Sequence, residues 1–478
     1  MRLYLPVEVA VYCGTTHSWS DRVCRAAKEK GNYTVLSPSN VLGWVESHGE
    51  GSVLIFGTDV MPYSLYDYPE KPRDETAIFK FMERGGSVIW AGDVPFYYVE
   101  KDGKKIDVFS KANPFPFTPL NLDDKPVAEK GEDTIVGEML GYDPKESWRP
   151  VPEVRGLVPI SRVTVGSTVG YSAWIYKHGK GMFVRVYDSP YVDENYVLSL
   201  PERLSELNKV GIRVRGFGRF RDYRMVLPKL KVGVVMGYNN VGKTSLLEAI
   251  ALLDERNRGL VEKFRDRKEV QGEIELYLNG EYYYKRLPDT STDYRGFLLV
   301  YSHLFEQVEV DPQTLRGVTE LMERFDPKVF YVYLSANNKV RVLFSDKTDV
   351  SIHELGYGYK SLLYFLITLA KYRPKVVLID DLEGFSLHPE LLNRFYEFLL
   401  GLDVELVLIT TQSSDVYAYL AYKAKVKERD DVFFILMNDE KYEVLTTEDA
   451  LDIMDYEDLR YFALRVGKDE AHGKTVRG

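Results

Sequence analysis

Short apolar runs alternate with amphipathic stretches from Val7 onward, and this pattern predicts parallel strands joined by crossover helices. The predicted strands are Val7–Gly14, Tyr33–Leu36, Ser52–Gly57 and Ser87–Ala91. The predicted helices are Ser18–Lys30, followed by Gly31, and Glu75–Arg84, followed by Gly85 and Gly86. Glycine often follows the C-terminus of a helix because it adopts a left-handed backbone without steric cost. The pattern therefore predicts an α/β domain.

The chain then changes its pattern. Pro114–Pro152 is rich in proline and acidic residues, so we expect an irregular insertion there. Beyond it, Ser172–Tyr176 and Met182–Tyr187 flank a Gly-Lys-Gly turn and are expected to form a hairpin that completes the first sheet. The alternation of strands and helices restarts near Pro201–Asn208. We therefore predict two domains, residues 1–205 and residues 206–478, the second with its core at 210–440.

Ligands of such sheets bind outside the carboxyl ends of the strands. In the first domain these ends carry Cys13, His17 and Asp93. A small buried side chain is the expected role of Cys13, in preference to a catalytic thiol. His17 and Asp93 are placed to face one another, and a structural or solvated role is the commoner one for such a pair.

The second domain contains a phosphate-binding motif. The apolar strand Lys231–Met236 runs into GYNNVGKT, which matches G-x-x-x-x-G-K-[ST] and opens into the helix Ser245–Leu253. Glycines let backbone N–H groups approach phosphate oxygens, and the helix N-terminus adds the positive end of its dipole. The predicted nucleotide-binding residues of this loop are Gly237, Asn239, Asn240, Val241, Gly242, Lys243, Thr244 and Ser245.

Acidic residues follow another apolar strand. Val376–Ile379 leads directly into Asp380, which we predict to bind Mg²⁺ together with the Thr244 hydroxyl. A further strand, Glu405–Thr411, ends at Gln412, and Leu391–Leu400 is expected to be the crossover helix between the two strands. If these strands are neighbours, the tip that carries the glutamine lies beside the γ-phosphate.

Four segments carry a resemblance to a known family. In order they are GYNNVGKTSLLEAI, ELGYGYKSLL, VVLIDDLEGFSLHPELL and LVLITTQSSD. They resemble the ATPase heads of the SMC/RecF/Rad50 and OLD-like branch of ABC ATPases, especially the compact archaeal and bacterial AAA-type ATP-binding proteins. The resemblance implies ATP and Mg²⁺ as cofactors, and a homodimer that sandwiches ATP between two heads. In such a dimer, Gly356 and Gly358 of one subunit cover the γ-phosphate bound to the other.

Two positions depart from the family pattern. Asp381 stands where the family has a glutamate that orients the attacking water, and Gln412 stands where it usually has histidine. Glutamine can donate a hydrogen bond or position water, but it cannot carry the charge of an imidazolium. We therefore predict slow ATP hydrolysis, with Asp381, Glu383 and Gln412 as the catalytic residues.

The first domain resembles the flavodoxin-like domains of class I glutamine amidotransferases, through Ser87–Asp93 and the hairpin HGKGMFVRVYD. The turn that bears the catalytic cysteine in that family reads AGDVP here, so the nucleophile is absent. The resemblance implies a scaffold without catalysis that docks a partner protein or binds a small molecule.

Arginines and aromatic residues alternate in the segment before the phosphate loop. The arginines predicted to face nucleic acid are Arg213, Arg215, Arg219 and Arg221. Such a stripe can contact phosphates while neighbouring aromatic rings stack on bases. A solvated strand face, or contact with ATP itself, explains the same pattern. We therefore hypothesise an ATP-dependent switch that acts on nucleic acid in maintenance or defence. The alternative is a protein-directed ATPase without DNA binding.

Composition narrows these hypotheses. The chain has 478 residues, 45% hydrophobic and 28% charged, which is typical of a folded globular protein. No apolar run is long enough to span a bilayer, and the N-terminus lacks a secretory signal pattern, so we expect a cytoplasmic protein without membrane contact. Two cysteines are too few for a disulfide framework. The net charge of -10 disfavours general electrostatic binding to nucleic acid, although a local basic patch remains compatible with it.

Overall fold

The computed structural model describes residues 8–15, 21–262, 272–287, 294–301, 310–438, 441–456 and 458–459. The chain divides into two compact units. The first comprises residues 1–211 and 275–282, and the second comprises residues 212–274 and 283–478. The predicted domain boundary at residue 205 lies close to the first of these divisions.

The first unit is built around a large sheet. Its strands are β1 Glu8–Tyr12, β2 Thr34–Leu36, β3 Ser52–Phe56, β4 Met61–Pro62, β5 Ser87–Ala91, β6 Tyr98–Lys101, β7 Lys104–Asp107, β8 Glu132–Asp133, β9 Val151–Pro152, β10 Leu157–Val165, β11 Thr168–His178 and β12 Gly181–Val186. Its helices are α1 Asp21–Lys30, α2 Val41–Ser47, α3 Ala77–Glu83, α4 Phe109–Ala112, α5 Ile135–Met139 and α6 Glu194–Arg203. Two 3₁₀ turns span Arg73–Glu75 and Leu204–Asn208.

Five parallel strands form one side of this sheet, in the order β2-β1-β3-β5-β12. The antiparallel strands β11, β10 and β8 continue it in that order. Strands β3 and β5 are buried along their whole length, as expected for parallel strands covered on both faces. Rings of Trp90, Phe96, Phe115, Trp174 and Phe183 pack together in the core. A smaller sheet has the order β4-β6-β7.

The predicted hairpin is confirmed, because β11 and β12 pair antiparallel up to His178 and Gly181. The expectation that it completes the sheet is wrong, because β10 and β8 extend the sheet beyond it. The insertion is also less irregular than expected. It contains β8 and the short helix α5, whose first turn is capped by the Thr134 hydroxyl accepting the Gly137 N–H at 3.2 Å. Segments this short are not detectable from periodicity.

Cys13 and Cys24 form a disulfide that joins the end of β1 to α1, with their Cα atoms 5.8 Å apart. The expectation that Cys13 is merely a small buried side chain is therefore wrong. Two cysteines eleven positions apart gave no signal in the sequence, because their pairing depends on how α1 returns to the end of β1. His17 and residues 18–20 of the predicted first helix lie outside the described residues.

The following strands are β13 Val210–Phe217, β14 Phe220–Leu227, β15 Val232–Met236, β16 Gly272–Leu278, β17 Glu281–Leu287, β18 Phe297–Tyr301, β19 Val329–Leu334, β20 Val340–Phe344, β21 Asp349–Ser351, β22 Val376–Asp380, β23 Leu406–Thr410, β24 Val432–Met437 and β25 Tyr442–Leu445. The helices are α7 Lys243–Ala251, α8 Gly259–Glu262, α9 Pro312–Phe325, α10 Tyr357–Tyr372, α11 Pro389–Gly401, α12 Ser414–Val426 and α13 Thr447–Met454. Three 3₁₀ turns span Glu255–Asn257, Ile352–Glu354 and Leu382–Phe385.

The second unit is organised by a six-stranded sheet in the order β18-β22-β23-β15-β24-β25. All neighbouring strands are parallel except β25, which pairs antiparallel with β24. The central strands β15, β22 and β23 are completely buried, and α10 and α11 supply much of the hydrophobic core. Strands β19, β20 and β21 form a separate antiparallel sheet next to α9. The chemistry described below lies at the carboxyl ends of the three central strands.

Candidate nucleotide-binding site

The loop between β15 and α7 has the backbone of a phosphate-binding loop. Gly237 has φ +154°, Asn240 has φ +64° and Gly242 has φ +107°. Close packing also requires the glycines. A Cβ on Gly237 would lie 2.5 Å from the carbonyl oxygen of Met437, and one on Gly242 would lie 2.7 Å from the Phe220 ring. The loop therefore turns sharply and delivers the N-terminus of α7 to its concave side.

Lys243 is the first residue of α7, and its side chain is turned back into the loop. Its Nζ donates hydrogen bonds to the carbonyl oxygens of Gly237 at 2.9 Å and Tyr238 at 3.1 Å. Burial lowers the pKa of Lys243, while the negative charges of Asp381, Asp380 and Glu383 oppose that shift. The lysine and the three acids therefore form one electrostatic cluster.

Asp380 lies at the end of β22 and is only 3% exposed. The Thr244 hydroxyl lies 3.1 and 3.0 Å from its two carboxylate oxygens, and the Thr410 hydroxyl donates to Oδ1 at 2.7 Å. Thr410 belongs to β23, which pairs directly with β22, so the condition under which the Gln412 tip lies at this edge is met. Two adjacent threonines therefore fix the orientation of the aspartate.

Thr244 and Asp380 fit a Mg²⁺ site. Both offer hard oxygen atoms, and Mg²⁺ is commonly held by one or two protein oxygens together with nucleotide phosphates and water. The Thr244 hydroxyl and the Asp380 carboxylate lie on different elements but within hydrogen-bonding distance of one another. A cation bound by both residues would be fixed relative to the phosphate loop.

Asp381 follows β22 with a left-handed backbone, φ 53° and ψ 71°. Its N–H donates to the Thr410 hydroxyl at 2.8 Å. A non-glycine residue in this region is uncommon and is maintained by its surroundings, often at functional sites. The turn directs the chain away from the strand immediately after Asp380.

Glu383 contacts the end of β23. Its carboxylate accepts hydrogen bonds from the Thr411 hydroxyl at 2.8 Å and from the Gln412 N–H at 2.9 Å. The side chain of Gln412 is exposed. The structure therefore brings Asp380, Asp381, Glu383 and Gln412 to one edge of the sheet. Glu383 orients the backbone that carries Gln412.

Two further residues at this edge have no motif in the sequence. Tyr301, at the end of β18, lies opposite Asp380 in the strand register. Its hydroxyl donates to Glu248 Oε1 at 2.5 Å, and burial together with this carboxylate raises the pKa of Tyr301. Glu248 lies one helical turn beyond Thr244. The sequence signal for Glu248 was its spacing of four residues from Thr244. Only the order of the strands in the sheet shows that Tyr301 is its neighbour.

Gly356 and Gly358 lie at the start of α10. Gly356 is the N-cap residue, and a Cβ on Gly358 would lie 2.5 Å from the carbonyl oxygen of Ser386. The start of α10 thus packs closely against the segment that follows Glu383. Tyr357, between the two glycines, is 49% exposed. The predicted signature segment is therefore an accessible surface of the second unit.

The predicted arginine stripe is wrong in part. Arg213 is 2% exposed, and its guanidinium donates to both carboxylate oxygens of Asp222 at 3.0 and 3.1 Å. Arg215 pairs with Glu273 at 3.2 Å. Burial by itself would raise the pKa of Asp222. Hydrogen bonds from Arg213 and Arg224 outweigh this effect and hold the pKa of Asp222 well below its usual range. Asp222 on β14 and Glu273 on β16 thus pair with the arginines of β13, and these ion pairs stabilise the sheet that the three strands form.

Arg219 and Arg221 remain exposed. Arg219 lies at the tip of the β13–β14 hairpin. A Cβ built on Gly242 would lie 3.2 Å from the Cδ of this arginine. A Cβ on Gly218 would lie 3.0 Å from the hydroxyl oxygen of Ser245. The hairpin tip therefore packs on the phosphate loop.

The carboxyl edge of the first unit's sheet holds a buried charge network. The Asp188 carboxylate accepts hydrogen bonds from the Ser147 hydroxyl at 2.6 Å and the Arg149 N–H at 2.9 Å. Burial raises the pKa of Asp188 to about 6. Asp93 accepts a hydrogen bond from Arg149 at 3.3 Å, and the fully buried Arg185 donates to backbone carbonyl oxygens. Asp93 is held by Arg149 within this network, in agreement with the structural role expected for it.

Residues 279–416 match the family described as "AAA domain, putative AbiEii toxin, Type IV TA system", and residues 28–203 match the "MJECL34 family". A curated relative, "Uncharacterized protein MJECL34" of Methanocaldococcus jannaschii, is 27% identical over 162 residues, which cover 31% of this chain and 55% of the relative. The chain thus spans about half the length of that relative.

Two solved structures are similar to half of the chain. The SMC head domain from Thermotoga maritima has 13% identity and a TM-score of 0.32, covering 50% of this chain and 98% of that one. The Smc head domain from Pyrococcus furiosus, bound to the C-terminal domain of ScpA, has 12% identity and a TM-score of 0.36, covering 51% and 98%.

The AAA-domain match includes Asp380, Asp381, Glu383 and Gln412 but begins after the phosphate loop. Nearly all of the match lies in the same unit as the phosphate loop, and together they support a P-loop ATPase fold for that unit. In the part of the chain that the structure describes, no helix is long and apolar enough to cross a bilayer.

Proposed function

We propose that this chain binds Mg²⁺·ATP at the phosphate loop and hydrolyses it slowly. The observation that carries this proposal is the convergence of Lys243, whose side chain is hydrogen-bonded to the loop, with Thr244 and Asp380, whose side chains are hydrogen-bonded to each other. Lys243 would contact the β- and γ-phosphates, while Thr244 and Asp380 would hold the cation. Mg²⁺ supplies charge neutralisation at the phosphates when it is bound.

Asp381 is the proposed residue that orients the attacking water, and Gln412 is proposed to assist at the γ-phosphate. Asp381 is one methylene shorter than the glutamate usual in the family that it resembles, which supports low turnover. The Asp381→Asn variant should bind ATP as tightly as the native chain but release phosphate at least about 100-fold more slowly. Undiminished turnover in this variant would exclude Asp381 as the residue that orients the water, and a loss of ATP binding would assign it to binding.

We further propose that ATP joins two copies of the second unit. The exposed Tyr357 between Gly356 and Gly358, at the N-terminus of α10, is the surface that would cover the γ-phosphate of the partner copy. Sedimentation of Asp381→Asn protein with ATP should show a dimer, and Gly356→Arg, at a position where an added Cβ meets no atom within 4 Å, should prevent it. A native chain that remains monomeric with bound ATP would contradict this model.

The proposed client is single-stranded nucleic acid, and a specific surface supports it. On β19, Phe330 is 65% exposed and Tyr331 is 44% exposed. The rings of Tyr331 and Tyr333 stack at 6.2 Å with an angle of 11° between them. Lys339 and Lys347 lie in the turns that precede and follow β20. Exposed rings on a sheet with flanking cations are the usual platform for unpaired bases.

A short single-stranded oligonucleotide tests this client. Tyr331→Ser should weaken binding at least about fivefold, because stacking contributes about 1–3 kcal/mol per base. The matched control is Tyr422→Ser, at a tyrosine that is 58% exposed on α12, and it should leave affinity unchanged. Equal affinity of both variants, or affinity that does not fall between about 50 and 200 mM salt, would refute the proposal and favour the protein-directed alternative.

For the first unit, we propose a flavodoxin-like scaffold without a nucleophile that docks a partner protein. The parallel strand order β2-β1-β3-β5-β12 supports it, because it corresponds to the 2-1-3-4-5 order of flavodoxin-like sheets. The Asp93–Arg149 pair occupies the turn where amidotransferases carry their cysteine. Incubation with glutamine should release no ammonia, and measurable release would contradict the proposal.

A further inference from the structure

The second unit contains a cavity of about 610 Å³ that is separate from the nucleotide site. It lies where α9, α10 and α11 end, next to the amino-terminal ends of β22 and β23, whereas the phosphate loop lies at the carboxyl ends of the sheet. Its apolar lining includes Leu321, Phe325, Leu369, Phe398, Leu402 and Val404. Cavities of about 300–1,000 Å³ with such a lining commonly bind small organic molecules.

Cations outnumber acids around this cavity, although the chain as a whole is acidic. The charged lining residues are Arg324, Arg373, Arg394, Lys427, Glu397 and Asp403. Glu397 is already neutralised by Lys423 at 2.9 Å, and Lys427 approaches it at 3.8 Å. Arg394 donates to the carbonyl oxygen of Phe325 at 2.6 Å and to Glu390 at 3.0 Å.

Arg324 and Arg373 differ from these residues. Within the described ranges of the chain, neither guanidinium has an ion pair or a hydrogen bond to a protein group, and both residues are exposed. Arg373 ends α10 in the left-handed conformation, with φ 42° and ψ 58°. Glycine normally occupies that position, because a side chain there costs free energy. The structure thus places an uncompensated arginine, on a strained backbone, at the mouth of an apolar cavity.

We propose that this cavity binds an amphiphilic organic anion, namely a molecule with an apolar body and one carboxylate, sulfonate or phosphate group. The apolar body fills the space between Phe325, Phe398 and Leu402. The anionic group pairs with Arg324 and Arg373, whose planar guanidinium groups suit such oxyanions. A neutral molecule of the same shape gains only the apolar contacts, so the site is selective for charge.

Binding in this cavity also has a route to the nucleotide site. The end of helix α10 contributes Leu369 and Ala370 to the cavity, and Arg373 follows directly after the helix. The helix begins at Tyr357 in the signature segment, 16 residues before Arg373. A helix of that length spans about 24 Å as a rigid element. The anion therefore changes the ATPase rate through α10. The effect on the ATPase rate rests on the proposed ATPase function, whereas the binding of the anion does not.

The test uses two fluorescent probes that differ in one group. Anilinonaphthalene sulfonate carries the anion, and N-phenyl-naphthylamine is the same skeleton without it. The native chain should bind the sulfonate at least about tenfold more tightly than the amine, and Arg324→Gln/Arg373→Gln should remove that preference. The control Arg316→Gln changes an exposed arginine on α9 that does not line the cavity, and it should have no effect.

A second variant locates the binding. Ala370→Trp fills the cavity from α10 and should abolish binding of both probes, while circular dichroism checks that the chain remains folded. A tenfold preference for the sulfonate that survives in the double arginine variant, or binding of either probe that survives Ala370→Trp, would overturn the proposal. A sulfonate that binds as expected but leaves phosphate release unchanged would overturn only the coupling, and a chain without phosphate release would refute the ATPase and leave the site intact.

Discussion

Replacing Thr410 with valine removes one hydroxyl on which two acids of the site depend. Thr410 is fully buried, its Oγ1 donates to Asp380 Oδ1 at 2.7 Å, and it accepts the N–H of Asp381 at 2.8 Å. Valine has nearly the same shape. A lost hydrogen bond to a charged group costs about 1.5–3 kcal/mol, and an unpaired buried N–H costs about 1–3 kcal/mol. We therefore expect Thr410→Val to lower the free energy of unfolding by about 3–5 kcal/mol.

Urea denaturation measures this loss, and the unfolding transition that shifts when ATP is added identifies the second unit. Thr410→Ser is the matched control, because it retains the hydroxyl and removes one methyl group, at a cost of about 1 kcal/mol. The valine variant should therefore be at least about 2 kcal/mol less stable than the serine variant. Equal stability of the two variants would refute the reasoning, because the hydroxyl would then contribute nothing.

Three other predictions follow from the geometry. Gly237→Ala should weaken ATP binding at least about tenfold by titration calorimetry, because its Cβ would lie 2.5 Å from the Met437 carbonyl oxygen; unchanged affinity would contradict this. Glu275→Ala should destabilise the first unit by about 3–5 kcal/mol in urea, because it leaves Arg162, paired at 2.6 Å, buried and uncompensated; a loss below about 1 kcal/mol would count against it. Burial raises the pKa of Asp188 to about 6, above its unfolded value. The stability contributed by its protonated form is therefore lost as pH rises through about 6, and Asp188→Asn should flatten the accompanying fall in Tm.

The phosphate loop was predictable because its motif is local. Gly237, Gly242, Lys243 and Thr244 adopt their conformations from the loop sequence itself, together with the strand before it and the helix after it. The position of Asp380 was also predictable, because a buried parallel strand that ends in an acid places that acid at the ligand-binding edge. The adjacency of β22 and β23 was only a condition in the sequence analysis, and the structure shows that it is met.

The rest depended on contacts between distant residues. Arg213 resembles a nucleic-acid contact until the pairing of β13 with β14 brings Asp222 within hydrogen-bonding distance of it. The Tyr301–Glu248 hydrogen bond joins residues 53 positions apart on a strand and a helix. The cavity lined by Arg324 and Arg373 exists only once three helix ends have packed together. Periodicity and motif spacing contain no information on such pairings, because they describe only neighbours along the chain.

The assignment of the phosphate loop as the ATPase site is tested by measuring phosphate release from Mg²⁺·ATP. The native chain is compared with Lys243→Ala. We expect measurable phosphate release by the native chain. Release should fall at least about 100-fold in Lys243→Ala, because the ammonium group of Lys243 would no longer stabilise the phosphates. Both proteins should give the same circular dichroism spectrum. Equal release by the two proteins would contradict the assignment of the nucleotide site.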